Sequence, residues 1–492
     1  MSTVAPEKPD TKDLWTLLIY MGGDNNLTEE CVYALTEIKD AIDDSVTKLN
    51  VLAQFDPSGV LAETKRYKLR SSPKFSLEDD ARLTGWKASE TDTGEGQNLL
   101  DFIRWGITNY KADHYMVVLV GHGTGTEDDF LLTDQNPTSA LGIVELSHVF
   151  EQLEEENHTI DILGFDTCLM NMAEVCFELK RTGVTYLVGS EGFAPNTGWP
   201  YAPIIRELTK KIKNEPDDAS PEWLARQIVK EYMNFYVPYI NGGVSVDQAA
   251  LEVKKITAVK ERMFTLAGDL IDEVNNGQFA YGSPKRDALV LSHWETQSYN
   301  GEVYVDIVDF LQLLVNRYVA IDGKSPVIES CNKVIEAIDD LVVQNCVSGA
   351  AFQYSNGLSI YFPWAILSAK YKNLSFPKET GWLDFLKAYH DVTRRQGRGE
   401  VKGKTAAGVS PVGTIPVQLP GRATVPANKG RDGRVDSMRN PAAEEFVRLF
   451  KAEETKVESP PATAPTPSIR SNGRPETTAA VGKQKYSKAG AK

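Results

Sequence analysis

A chain of 492 residues with a net charge of −15 has room for two or three domains, or for one large α/β domain with a tail. Its 41% apolar content is ample for a core, but no run approaches the 18 apolar residues of a membrane-spanning helix, so no membrane span is expected. Met1 to Asp10 carries no apolar signal segment, and five cysteines, odd in number and without framework spacing, suit a reducing cytoplasm.

Residues 1–13 are polar and read as a disordered leader. Residues 14–21 read as the first core strand, Gly22-Gly23-Asp24-Asn25 as its turn, and residues 29–42 as a helix. The two glycines lack the following Gly-Lys-Ser/Thr of a phosphate loop, so no nucleotide is expected there. A second strand over 48–55 and an edge strand over 67–70 come next. An amphipathic helix over 99–110 then feeds the apolar run 114–121, which ends in His122-Gly-Thr-Gly-Thr126. This histidine is expected at a strand's carboxyl end, the edge where α/β sheets gather their ligands.

A helix over 143–155 leads to a buried strand over 160–165, and there the period changes. Leu169, Met172, Ala173, Cys176 and Leu179 recur at helical steps, with Asp166 or Thr167 as the expected cap. Cys168 is therefore expected where a strand ends and a helix begins, in a dipole field that favours thiolate. The βαβ connection brings His122 and Cys168 to the same sheet edge, which suits a nucleophile and its proton carrier. Taken singly, either residue could be structural; no recognised zinc-ligand motif contains His122.

Further on, residues 184–189 read as a strand. Residues 221–236, capped by Ser220 with Pro221 first in the helix, 253–274, 305–318 and 327–343 read as helices. Strands are expected over 350–353 and 358–362, and a helix over 382–390 closes the folded part.

Five segments occur in an order that resembles the clostripain family of cysteine peptidases, relatives of caspases, gingipains and legumains. They are Leu18-Ile-Tyr-Met-Gly-Gly-Asp-Asn-Asn-Leu27, Gly121-His-Gly123, Gly164-Phe-Asp-Thr-Cys-Leu-Met170, Gly189-Ser-Glu191 with Gly198-Trp-Pro-Tyr201, and Gly357-Leu-Ser-Ile-Tyr-Phe-Pro363. The resemblance covers about residues 14–390. It implies an α/β fold with a caspase-like, mostly parallel sheet flanked by helices, a helical C-terminal part and a disordered tail. The peptidase domain would span 14–393.

The resemblance also implies a dyad in which Cys168 attacks the scissile carbonyl and His122 handles the proton. The backbone N–H groups of Gly123 and Cys168 would form the oxyanion hole. Asp166 would line a pocket for Arg, or secondarily Lys, unless it caps the following helix. Ser190, Glu191 and Asn196 are the further substrate-binding candidates; Asn196 stands where relatives carry an acid, and Glu191 is its possible substitute. No metal or other cofactor is expected, calcium being the one ion the family resemblance allows, although there is no EF-hand loop. The partner implied is a protein or peptide with basic residues.

Relatives often cut themselves between the His and the Cys, and many are exported. From Gly121 to Leu179 this chain has no Lys or Arg, so cleavage there after a basic residue is chemically excluded. Control is expected instead through the tail, where Arg394, Arg395, Arg398, Lys402 and Lys404 crowd together, or through an upstream protease or regulatory partner. A binding module without turnover, and another thiol chemistry such as transpeptidation or ester hydrolysis, are the competing functions.

Residues 394–492 form a Pro-, Gly- and Ala-rich tail with a disorder signature. From residue 396 it carries 17 Lys and Arg against 9 Asp and Glu, a net +8, which leaves −23 on the rest. Such a tail is ordinarily solvated, and nucleic-acid binding is not expected; the acidic body favours cationic peptides within about 10 Å. One island, 441–452, has Phe446, Val447, Leu449 and Phe450 on one side and reads as a short docking helix.

Overall fold

β1 (Asp13–Gly23) is buried without interruption from Trp15 onward, the pattern of a strand covered on both faces. Leu18 and Tyr20 enter one large apolar cluster, while Trp15 faces the opposite layer, where its indole donates to Ala219 O at 2.9 Å. The structure, a computed structural model, describes residues 12–397 apart from 60–62, 72–76, 136–137 and 277–278. The leader up to residue 11, the tail from 398 and the helix expected at 441–452 lie outside the described residues.

β1 pairs in parallel with β2 (Leu49–Pro57), whose outer edge takes antiparallel β3 (Lys65–Lys68). On its other side β1 pairs in parallel with β4 (Ala112–Val120). A small hairpin, β5 (Leu131–Gln135) and β6 (Thr138–Leu141), follows. The sheet then grows outward through parallel β7 (Ile160–Asp166) and β8 (Val184–Gly189) to antiparallel β9 (Val246–Glu252). A separate three-stranded sheet holds β10 (Ser298–Tyr299), β11 (Tyr304–Asp306) and β13 (Ser359–Tyr361), while β12 (Val342–Ser348) closes the main sheet beside β9. The main order is β12-β9-β8-β7-β4-β1-β2-β3. Strand order therefore reverses between β1 and β4, and crevices outside the carboxyl ends at such a reversal are where α/β sheets bind ligands.

The first helices are α1 (Thr28–Ala41), α2 (Glu78–Arg82), α3 (Gly96–Asn109), α4 (Ile143–Glu155), α5 (Ala173–Glu178), α6 (Tyr201–Asn214) and α7 (Pro221–Tyr236). A helical C-terminal part follows, with α8 (Ile256–Asn275), α9 (Pro284–Glu295), α10 (Ile307–Asp322), α11 (Pro326–Leu341), α12 (Ser375–Glu379) and α13 (Trp382–Gly397). α1 packs on α6, and α7 covers β8, β9 and β12; α3 packs beside α4, and α8 gathers α5, α11 and α13. Local chemistry sets several starts. Ser220 Oγ accepts from Trp223 N ahead of α7, and Asp306 accepts from Asp309 N at 2.7 Å ahead of α10. No described helix is long and apolar enough to cross a membrane.

Several elements differ from the sequence reading. β9 and β12, the hairpin β5–β6, and helices α6 and α9 were not expected. β9 hides Asp247 and Gln248 inside the sheet, and β12 carries Gln344 and Asn345, so neither reads as an apolar strand. The helix expected over 327–343 stops at Leu341 because Val342 turns extended to pair with β9. Residues 350–353 make a single 3-10 turn, Ala350–Phe352, rather than a strand. The most consequential correction is that the helix after Cys168 begins only at Ala173.

Candidate active site

The two residues of the expected pair follow the carboxyl ends of the neighbouring strands β4 and β7. Val120 is the register partner of Asp166, so the chain segments carrying His122 and Cys168, each two residues further on, leave neighbouring strands at the same rim. Parallel neighbours of this kind run about 4.8 Å apart. Gly121 N donates to Asp166 O at 3.3 Å across the same rim. A Cβ on Gly123 would collide with the Cys168 carbonyl and stand 3.1 Å from Thr167 Cβ, so only glycine fits after the histidine. Leu132 N donates to His122 O at 3.0 Å and Thr124 N to Phe130 O at 3.1 Å. These bonds fix the backbone without using the Gly123 N–H.

His122 is half-buried, and its Nε2 lies 2.7 Å from Asn26 Oδ1 on the turn after β1. Other histidines are plainly structural. His293 is sandwiched between Phe362 and Trp364, bonded to Phe362 O at 2.8 Å, and burial pushes its pKa down to about 3. His390 meets Pro363 O at 2.7 Å, and His114 meets Asp161 at 3.2 Å.

Cys168 sits in a tight turn, 3% exposed, with its thiol 3.9 Å from Ala194 O. Leu169 adopts φ 62°, a left-handed backbone that costs a non-glycine residue about 1 kcal/mol or more. That kink is held by Leu169 N to Gly192 O at 3.0 Å and Asn171 N to Ser190 O at 3.1 Å. Strain retained in this way beside a thiol is a mark of a working site. The expected capping by Asp166 or Thr167 is absent, because the left-handed residue turns the chain away before α5 can start. The thiol therefore does not stand on a helix end. Cys176 and Cys331 are ordinary core thiols, pushed up by burial.

Asp166 is buried, and its carboxylate accepts from Trp199 N at 3.1 Å and Tyr201 OH at 3.0 Å. This explains the Gly-Trp-Pro-Tyr segment. Gly198 has φ 65°, and a Cβ there would stand 2.6 Å from Asp166 Oδ2. The Trp199 indole lies so close over Gly164 that a Cβ at 164 would stand 2.6 Å from Cη2. Tyr236 OH donates to Gly198 O at 2.6 Å. Asp166 also lines a cavity of about 10 Å³ with Leu27, Glu30, Cys31 and Asn196, whose Oδ1 is buried without a hydrogen-bond partner.

Ser190 and Glu191 are turned inward, unlike groups that meet a substrate. Ser190 Oγ lies 2.8 Å from both Asp247 O and Gln248 Oε1. Glu191 is fully buried and accepts from Gly357 N at 2.7 Å, while its own N–H donates to Asp247 at 2.6 Å. Burial, then the neighbouring Asp306 and Asp247 charges, push its carboxyl well above the usual range. Glu191 braces the floor beneath the turn. Sequence reasoning also passed over Asn26, although it lies in a segment that carried the resemblance.

Among the described residues Asp24, Glu90 and Asp134 place carboxylate oxygens within 4.8 Å of one another. Asp134 also accepts from Thr93 N at 2.7 Å, and burial followed by the charges of Asp134 and Asp24 raises Glu90. Convergent hard oxygens fit a calcium-type ion.

The clostripain family model matches residues 19–389. Clostripain of Hathewaya histolytica is 24% identical over 407 residues, covering 71% of this chain and 74% of that protein. A secreted C11 cysteine protease from Bacteroides thetaiotaomicron, solved with an irreversible peptide inhibitor, superposes with a TM-score of 0.55 at 18% identity, covering 75% of this chain and 99% of that one. An inactive zymogen C11 protease from Parabacteroides distasonis gives 0.53 at 18% identity, covering 77% and 99%. The fold is thus that of the C11 proteases, and the chain belongs to the clostripain family. It is a cysteine endopeptidase, and its substrates are proteins or peptides.

Proposed function

We propose that Cys168 is the nucleophile and His122 the proton carrier, and that the enzyme cuts after basic residues, Arg before Lys. The observation that supports this reading is the pairing of Val120 with Asp166, each two residues ahead of a member of the dyad, at one rim of the sheet. The thiol gives its proton to His122 and attacks the scissile carbonyl. The oxyanion is met by the N–H groups of Gly123 and Cys168. Imidazolium then protonates the leaving amine, and the imidazole activates water against the acyl-enzyme.

Asp166 supplies the charge for a basic side chain, and the unpartnered Asn196 Oδ1 offers a second acceptor to a guanidinium. A cavity of about 10 Å³ holds no more than one water, so the segment from Gly192 to Gly198 has to shift outward as the side chain enters. Ser190 and Glu191 act beneath the pocket. Calcium, if used, would be held by Asp24, Glu90 and Asp134, where it would neutralise the acidic turn after β1. The free state of all five cysteines is compatible with a reducing cytoplasm, and control through the basic tail remains part of the reading.

A panel of peptides ending in Arg, Lys, Asp or Ala tests the assignment. Turnover of the Arg and Lys peptides, lost in both Cys168→Ala and His122→Ala, is the expected result; turnover surviving in Cys168→Ala overturns it. Two full-length intact masses, for wild type and Cys168→Ala, would end the idea of self-trimming in the tail.

A further inference from the structure

Met21-Gly-Gly-Asp-Asn-Asn26 is built more carefully than a connecting turn requires, and neither acyl transfer nor specificity has so far used it. Asn25 Nδ2 donates to Gly22 O at 3.0 Å and to Thr133 O at 2.8 Å, while its Oδ1 accepts from Leu27 N at 2.9 Å. Thr28 Oγ1 donates to Gly23 O at 2.5 Å, and Gln135 N donates to Asp24 O at 3.0 Å. The turn is thereby tied at several points, twice to β5, the strand whose Leu132 N also holds the His122 carbonyl. Its product is a single exposed side chain. Asn26 stands across the β1/β4 reversal with its Oδ1 2.7 Å from His122 Nε2.

We propose that Asn26 is a positioning residue that fixes the tautomer and the plane of the His122 imidazole. This rests on the reading of Cys168 and His122 as nucleophile and proton carrier. An amide oxygen accepts only, so the bond places the ring proton on Nε2 and makes Nδ1 the nitrogen that exchanges protons. The S–H bond of Cys168 breaks as an N–H bond forms at Nδ1. The Nδ1 proton then passes to the leaving amine as its C–N bond breaks. In the second half Nδ1 takes a proton from water as the hydroxide attacks the thioester, and returns it to the Cys168 sulfur as the C–S bond breaks. Throughout, Nε2–H stays on the Asn26 oxygen, which stabilises the transient imidazolium. A neutral amide does this without the electrostatic pull of a carboxylate, which would raise the imidazole pKa and slow its return to the basic form.

The test uses the full chain with Asn26→Ala and Asn26→Asp, scored by steady-state kinetics across pH on a peptide that wild type turns over. Asn26→Ala is expected to lower kcat by about 10- to 100-fold, the scale of a misplaced reacting group, with KM within about twofold. Asn26→Asp restores an acceptor and should recover most of kcat while moving the imidazole limb of the pH profile upward by about one unit. Wild-type kcat and pH profile in Asn26→Ala would overturn the proposal. So would a loss in Asn26→Ala that leaves the profile unmoved and that Asn26→Asp neither rescues nor shifts. Failure of the underlying reading is separately visible, because it would appear as turnover surviving in Cys168→Ala or His122→Ala.

Discussion

β7 and β8 are parallel neighbours, and each delivers an acid to the same end of the sheet, Asp166 from one and Glu191 from the other. Both are almost fully buried, yet their surroundings differ. Asp166 is met by two donors, Trp199 N and Tyr201 OH. Glu191 has one backbone donor, Gly357 N, and faces two further acids, Asp247 and Asp306. Burial, then the Asp306 and Asp247 charges, hold its carboxyl well above the usual range. Burial alone does not assign a carboxylate a role; the balance of donors against neighbouring charges does.

The sharpest break would come at the thiol two residues beyond Asp166. Cys168→Ala should lower kcat by about 10⁶-fold, and His122→Ala by about 10²- to 10⁴-fold, on a basic peptide. Cys176→Ser, changing a core thiol eight residues away, should alter only stability; equal losses at 168 and 176 would erase the distinction between rim and core. Next, Asp166→Asn should cost about 2 kcal/mol or more of transition-state binding for an Arg peptide, roughly 30-fold in kcat/KM. Glu191→Gln should leave the Arg-to-Ala preference intact. A reversed outcome in the same peptide panel would exchange the two roles.

A third, smaller effect is a dependence of stability on pH. Glu191, Asp247 and Asp306 all have native pKa values raised by burial first, and Glu174, held by Tyr361 N and Tyr371 OH, is raised to about 7. Native values above the unfolded ones mean that the folded state holds extra protons. Their stabilising contribution is complete below the unfolded values, near pH 4, and is lost as pH rises through neutrality. The thermal midpoint should therefore fall between pH 5 and 8 at constant ionic strength. Glu191→Gln, which removes one of these titrating groups, should flatten that slope. The smallest expected effect concerns Asp24, Glu90 and Asp134. Calcium should raise the midpoint by a few degrees over chelator, and Glu90→Gln should shrink that gain; identical midpoints with and without calcium would remove the ion from the account.

The centre of the sheet was legible because β1, β4 and β7 are apolar runs ending in Gly, His or Asp, and a βαβ unit leaves little choice of edge. The antiparallel flank was not, because Asp247 and Gln248 in β9 accept hydrogen bonds from partners distant in sequence, Ser190 and Glu191 among them. Asp166 stood out as a candidate, but its donors lie 33 and 35 residues away, so neither its capping nor its exposure could be judged locally. Leu169 misled for another reason: its apolar spacing fits a helix, while its left-handed φ belongs to a turn held by Gly192 O. Asn26 was in view throughout, and only the folded chain shows what it faces.

The indole of Trp199 lying against the bare backbone of Gly164 sets a direction for how this protein can change. A methyl group at 164 would be driven into the ring, an overpacked arrangement of the kind that costs about 1–3 kcal/mol, so Gly164→Ala should be poorly tolerated first. Shrinking the ring first, by Trp199→Phe, opens the space that the methyl group then occupies. Lineages that diverge here should therefore pass through position 199 before position 164, and intermediates in the reverse order should be rare.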